Sequence, residues 1–260
     1  MRMKFLHTWL IIFLSTSFVC AEIGPKGRRG FSHKPISKGF VGLSIGAGLP
    51  LNDYGKAEGN PLNYNLSSTD SIQGFGFAKI GVSFNLTAGY KFLPFLGGMV
   101  MGSGTINGFN VDAIQDTTHP ILKSTSYFIG KGLVGPFLYF SSGKVDLSFR
   151  ALAGLAYVKY PTITRTSSGK GYSSVSTFET PSATGFGYNI GASLNFILSD
   201  HVGFLINADY FGTKLNYKDV KSSTNIVFSG ITTSSESTDH RAYPQSIGLF
   251  HFTVGLALLF

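Results

Sequence analysis

One cysteine, Cys20, is the only thiol in 260 residues, and it lies in an apolar stretch near the N-terminus. Once that stretch is removed, the chain has neither disulfide nor thiolate chemistry. Charge is scarce as well. Only 13% of residues are Asp, Glu, Lys or Arg, about half the share usual in soluble domains. No apolar run reaches the roughly 18 residues that a spanning helix needs. Metal-ligand spacing is also missing. His119, Asp239 and His240 fall in polar stretches without paired partners, so no metal and no cofactor is expected.

The one long apolar stretch has the form of an export signal. Arg2 and Lys4 precede an apolar segment from Trp9 to Val19, followed by Val19-Cys20-Ala21 as a small-residue cleavage site. Residues 1–21 are therefore read as a signal peptide, 22–38 as an N-terminal periplasmic segment, and 39–260 as the folded body. The chain is basic, with a formal charge of +8. Its densest cluster, Lys26, Arg28, Arg29 and Lys34, lies before the first strand. That is a solvated tail rather than the basic groove with stacking aromatics that nucleic acid requires, so no nucleic-acid partner is expected.

What the chain has in quantity is period-two alternation. The second strand, near 75–92, is the cleanest. Ile80, Val82, Phe84, Leu86, Ala88, Tyr90 and Phe92 lie on one face; Lys79, Gly81, Ser83, Asn85, Thr87, Gly89 and Lys91 lie on the other. Similar segments start near residues 39, 96, 126, 145, 185, 202 and 245, which makes eight strands. The third alternates poorly, and the fourth is apolar on both faces. Short connections at 93–95, 141–144 and 199–201 alternate with long Ser/Thr/Asn/Gly-rich ones at 52–73, 108–125, 161–182 and 214–244. An even number of strands with short turns at one end and long loops at the other is the layout of a transmembrane barrel. A soluble barrel is the structural rival. It would need its apolar faces inward, and the polar faces here carry too many ionisable groups for a water side and a dry core to be exchanged at no cost. The expected fold is all-β: an eight-stranded antiparallel up-and-down transmembrane barrel.

The chain ends on alternation too. Phe250, Phe252, Val254, Leu256, Leu258 and Phe260 share a face. A soluble domain rarely ends so, because termini fray into water. A membrane barrel must pair its last strand with its first. Thr253, Gly255, Leu258 and Phe260 fall in the order polar–x–Gly–x–x–apolar–x–Phe, which resembles the C-terminal barrel-assembly signal of bacterial outer-membrane proteins. Gly42-Leu43-Ser44-Ile45-Gly46 with Pro50-Leu51 resembles the first strand of small outer-membrane barrels. Gly132-Leu133-Val134-Gly135-Pro136 and Arg150-Ala151-Leu152-Ala153-Gly154-Leu155-Ala156-Tyr157 resemble their middle hairpin. The chain thus resembles the outer-membrane protein A and X types and the PorT-like barrels associated with secretion. The resemblance implies a Gram-negative outer membrane, both termini periplasmic, and lipid and lipopolysaccharide around the wall. It also implies contact with the barrel-assembly machinery during biogenesis.

Chemistry has two places to reside. Lys79, Lys91, Asp146, Arg150, Asp209 and His251 are the ionisable residues on lumen-facing positions. They are expected to form a structural network, with Arg150 paired to Asp146 or Asp209, because an unpaired charge there is costly. The second place is the loops, where Tyr54, Tyr64, Tyr172, Phe178 and Tyr217 are candidate contact residues, since aromatics anchor interfaces. Gly130-Lys131-Gly132-Leu133-Val134-Gly135 spells a dinucleotide fingerprint, but no helix opens there, so it is read as strand glycine. The expected function is non-catalytic: a rigid wall whose loops contact an extracellular or periplasmic protein or surface. A narrow channel or a secretion accessory is the alternative. A lipid A-modifying enzyme is the lesser one, since no compact His-x-Ser arrangement occurs.

Overall fold

A computed structural model of the chain describes residues 37–57, 76–114 and 121–260. The expected signal peptide at 1–21 lies outside the described residues. In chain order the strands are β1 (Gly39–Leu51), β2 (Ala78–Lys91), β3 (Leu96–Phe109), β4 (Ile121–Ser124), β5 (Tyr127–Ser142), β6 (Val145–Lys159) and β7 (Ile163–Gly169). They continue as β8 (Tyr172–Glu179), β9 (Ala183–Ile197), β10 (Val202–Tyr217), β11 (Val220–Phe228), β12 (Ile231–Asp239) and β13 (Tyr243–Leu259). One helical turn, α1 (Asn52–Gly55), follows β1.

Eight of these strands close into a barrel in the order β1-β13-β10-β9-β6-β5-β3-β2. Every neighbouring pair is antiparallel. The seam between first and last strand is long, running from Phe40↔Leu259 to Leu51↔Gly248. It is continued by the final residue: Gly39 N–H donates to Phe260 O at 2.8 Å, and Phe260 N–H donates to Gly39 O at 3.0 Å. The C-terminal Phe is therefore part of the closure.

Alternation sends the apolar face outward. Leu43, Ile80, Leu86, Leu155, Phe186 and Leu258 are each more than half exposed, while Ser83, Asn85, Asn107, Arg150 and Asp209 are buried. An apolar belt that runs around a wall exceeds by far the patch a soluble monomer exposes. Acyl chains are its solvent, and closure leaves no unpaired strand edge facing them. The 15 residues of β6 exceed the 9–11 or so that cross the hydrocarbon, so the wall rises beyond it. The two-face apolarity of β5 has its own cause. Its lumen side, Ile129, Leu133 and Phe137, fills an apolar part of the interior and is buried, while Phe128, Val134 and Leu138 meet lipid.

The long connections differ from the loops expected of them. Residues 161–182 and 214–244 fold mainly as the hairpins β7–β8 and β11–β12. With β4 they form a second sheet, ordered β12-β11-β8-β7-β4. That order repeats the order of the barrel strands that feed it, β13-β10-β9-β6-β5. The second sheet thus continues five adjacent wall strands after short breaks at residues such as Pro161, Pro181 and Asp219. The β11–β12 hairpin turns on Ser229 and Gly230, both at positive φ (47° and 83°), the two-residue turn that matches strand twist. Its strands are Ser/Thr-rich on both faces, so they lack the apolar alternation that marks a strand in sequence.

The β1–β13 seam makes a prediction. A Cβ on Gly46 would lie 2.0 Å from the Phe252 carbonyl oxygen across the seam. Gly46→Val should cost about 3 kcal/mol or more of barrel stability, seen as loss of the folded, heat-sensitive band on gels. Ala47→Val, next door on the lipid side, should leave that band intact. Equal behaviour of the two variants would contradict this packing.

Candidate functional site

The lumen contains a hydrogen-bonded belt. Arg150 on β6 donates from Nε to Asp209 Oδ1 at 2.7 Å and from Nη2 to Asp209 Oδ2 at 2.5 Å. Its Nη1 reaches Ser193 on β9. Asn189 Nδ2 donates to Asp209 Oδ1 at 2.9 Å. From Ser193 the chain of bonds runs to Asn207 Oδ1 at 2.6 Å, and from Asn207 Nδ2 to Thr253 Oγ1 at 3.2 Å. Thr253 donates to Ser44 Oγ at 3.2 Å and accepts from Asn85 Nδ2 at 3.3 Å, while Ser103 donates to Asn85 Oδ1 at 2.6 Å. On β5, Lys131 Nζ lies 3.5 Å from His251 Nδ1, whose Nε2 lies 3.2 Å from Thr105 Oγ1. Every barrel strand contributes to these contacts.

Both side chains of the Arg150–Asp209 pair are only 2% exposed. A two-pronged guanidinium–carboxylate contact suits this dry position, because it satisfies several donors at once. Asp146, the other carboxylate expected as a partner, pairs instead with Lys91 at 3.6 Å, and Lys91 lies 4.2 Å over the Tyr139 ring. These residues line a cavity of about 40 Å³ at the end with the short turns. Lys79 is not in the lumen. The β2–β3 register shifts between Ala78 and Gly81, which breaks the alternation that placed Lys79 inward. It is exposed and pairs with Asp112 at 3.0 Å.

The opposite end of the lumen is closed by aromatics. Asn52 takes a positive φ of 54°, and α1 turns the chain so that Tyr54 is fully buried. Its hydroxyl donates to Asn107 Oδ1 at 3.4 Å. Tyr54 and Tyr127 meet edge to face at 5.0 Å, as do Tyr127 and Tyr160, and Tyr160 meets Tyr217 at 5.6 Å. Tyr127 donates to Gly76 O at 2.8 Å and accepts from Gln245 Nε2 at 3.4 Å. Edge-to-face contacts of this kind add to what area burial already contributes.

Two of the expected loop contacts are therefore corrected. Tyr54 and Tyr217 are plug residues, 0% and 1% exposed; Tyr217 sits inward at the end of β10, opposite Tyr243. Phe178 is half-buried against the core. Tyr64 lies outside the described residues. Tyr172 is exposed at the β7–β8 tip, opposite Phe228. Residue reading missed Phe228 and Ile231, 61% and 71% exposed. The signal was present: two bulky apolar residues flank the Ser229-Gly230 turn.

Among the described residues no group of three or more His, Cys, Asp and Glu could hold a metal ion. His240 Nδ1 and Asp219 Oδ1 are 2.6 Å apart, but their side chains are 80% and 59% exposed. Beside them, hydrogen bonds from Arg241, then from Tyr243, hold the Asp239 carboxyl well below the usual carboxylate range. These are surface clasps at the foot of the second sheet.

The molecule is thus a closed eight-stranded transmembrane barrel with a filled lumen and a second sheet raised on one side of its rim. No family model and no curated protein matches the sequence. Among solved structures it is similar to the attachment invasion locus protein Ail of Yersinia pestis, with 18% identity, 86% of this chain and 99% of that chain covered, and a TM-score of 0.40. It is similar to the outer membrane protein OprG of Pseudomonas aeruginosa at 14% identity, with 86% and 97% covered and a TM-score of 0.39. A major outer membrane protein of Thermus thermophilus gives 11% identity, 86% and 100% coverage and a TM-score of 0.42. The fold assignment rests on the strand pairing itself.

Arg150→Met or Asp209→Leu alone should cost about 3–5 kcal/mol, because each leaves a buried charge unpaired. The double variant should recover most of that loss. Denaturant unfolding of the micelle-bound barrel measures it; a single-variant cost under about 1 kcal/mol, the value of a surface pair, would contradict the belt's role.

Proposed function

We propose that this protein is a non-catalytic barrel of a bacterial outer membrane that displays its second sheet for contact with an external surface or protein. The observation that carries this reading is the contrast between the two ends of the wall. The lumen is filled by the polar belt and the tyrosine plug, while five strands rise past the rim and end in the exposed apolar tip Tyr172, Phe228 and Ile231. Functional groups held out from a rigid scaffold are the general pattern for recognition. In this orientation the short turns and both termini are periplasmic. Residues 1–21 direct export, and Thr253, Gly255, Leu258 and Phe260 present the assembly signal to the barrel-assembly machinery. Lipid and lipopolysaccharide surround the belt.

The filled lumen supports binding over conduction. A lumen cavity of about 40 Å³ holds no more than a few water molecules, and Tyr54, Tyr127, Tyr160 and Tyr217 occupy the other end. The protein in a planar bilayer should show no steady ion current. Replacing residues 164–178 and 221–238 by tight turns should remove adhesion of expressing cells to host or matrix surfaces while the barrel still folds. Steady current from the unaltered protein, or adhesion unchanged by the shortening, would overturn the proposal.

A further inference from the structure

The outer wall is not smooth. At the end bearing the second sheet, Gly212 on β10 pairs with Tyr188 on β9 and with Gly248 on β13. Side chains of Gly212 and Gly248 would point to lipid, and neither exists. Ser246, one outward position further along β13, is also small. Neighbouring side chains lean over both glycines, and beside them lies a groove of about 400 Å³ on the lipid-facing side. Phe186 and Tyr188 wall it on one side, Tyr210 and Lys214 run along it, and Asn52 reaches over from the end of β1. A Cβ on Gly212 would lie 2.6 Å from the Tyr188 hydroxyl oxygen, so that ring lies across the glycine. A Cβ on Gly248 would lie 3.1 Å from Asn52 Nδ2 and 3.4 Å from the Tyr210 hydroxyl, so two polar ends meet over it.

The height of the groove matters as much as its shape. Toward the short turns the next outward residues are Ile190 and Phe250, both exposed to the acyl region. Toward the second sheet they are Lys214 and Ser246, paired across β10 and β13. The groove therefore spans the boundary where hydrocarbon gives way to headgroups, the level that Tyr side chains favour. Among the described residues no carboxylate makes an ion pair with Lys214. An ammonium at headgroup level attracts lipid phosphate.

We propose that this groove seats the phosphorylated sugar headgroup of a glycolipid from the leaflet around the second sheet. Lys214 pairs with the phosphate. Ser246 and the remaining polar valences of Asn52, which also bonds to the Tyr210 hydroxyl, bond to sugar hydroxyls, and the rings of Phe186 and Tyr188 cover the sugar's apolar face. The acyl chains run down the belt along Ile190 and Phe250. The volume fits a headgroup, within the range of small-molecule pockets, and the mixture of aromatic faces with a few polar ends is what a phosphosugar requires. The inference rests on the membrane reading above and is independent of what the second sheet binds.

The test uses the full mature protein in phosphatidylcholine nanodiscs doped with diphosphorylated lipid A, with retained lipid counted by native mass spectrometry. The unaltered protein should keep one lipid A. Lys214→Gln should retain about tenfold less, and Ser246→Trp, which fills the groove from the lipid side, should retain none. Both variants should keep the heat-sensitive band of a folded barrel. Dephosphorylated lipid A should bind the unaltered protein as weakly as lipid A binds Lys214→Gln. Equal retention by all variants, indifference to the phosphates, or equal retention of phosphatidylglycerol would overturn the proposal. Insertion into the disc without retained glycolipid defeats the groove alone; failure to insert defeats the membrane reading with it.

Discussion

Hydrocarbon offers no hydrogen bonds, so a sheet that stands in it must satisfy every backbone group from within. The rest of this molecule follows from that constraint. The β1–β13 seam supplies the missing edge, and it extends to the last residue through the paired backbone groups of Gly39 and Phe260. Once the wall is closed, the usual sorting of residues is inverted. Leu, Ile, Val and Phe gain by facing out, and the polar face is forced into a shared interior only about eight strands wide.

An interior of that width must be filled by side chains, and two solutions are stacked along the axis. In the middle of the wall, short polar groups from different strands form a continuous set of bonds around Arg150 and Asp209. These side chains are buried, so the value of each bond lies largely in what its absence would cost. Toward the rim the solution changes to rings, with Tyr54, Tyr127, Tyr160 and Tyr217 meeting edge to face. The rings fill space that short side chains would leave empty, and the hydroxyls of Tyr54 and Tyr127 donate to Asn107 and Gly76. Between them the two devices fill both the middle and the rim end of the interior.

Above the rim the composition changes. Among the described residues the second sheet has β12 and β4 as its edge strands. Ser and Thr line both faces of β12. The lipid-side groove at Gly212 and Gly248 lies between the two regimes, with aromatic walls from below and an ammonium from above.

The wall was legible residue by residue, because lipid on one side and a narrow polar interior on the other impose a strict period of two. Ser83, Asn85, Arg150, Asp209 and His251 were readable as inward from parity alone, and the terminal run to Phe260 marked the closing strand. Parity could not locate Lys79, since one register shift at the top of β2 reverses a face without changing composition. It could not read β7, β8, β11 and β12 either: their Ser- and Thr-rich sequences carry no apolar face of period two. Nor could it find the plug, because Tyr54 reaches the lumen through a single left-handed residue at Asn52, and Asp209 rather than Asp146 meets Arg150 through the stagger of neighbouring strands. Order along the chain determined which residues face lipid, whereas the angle and register at which the strands close determined which of the hidden ones touch.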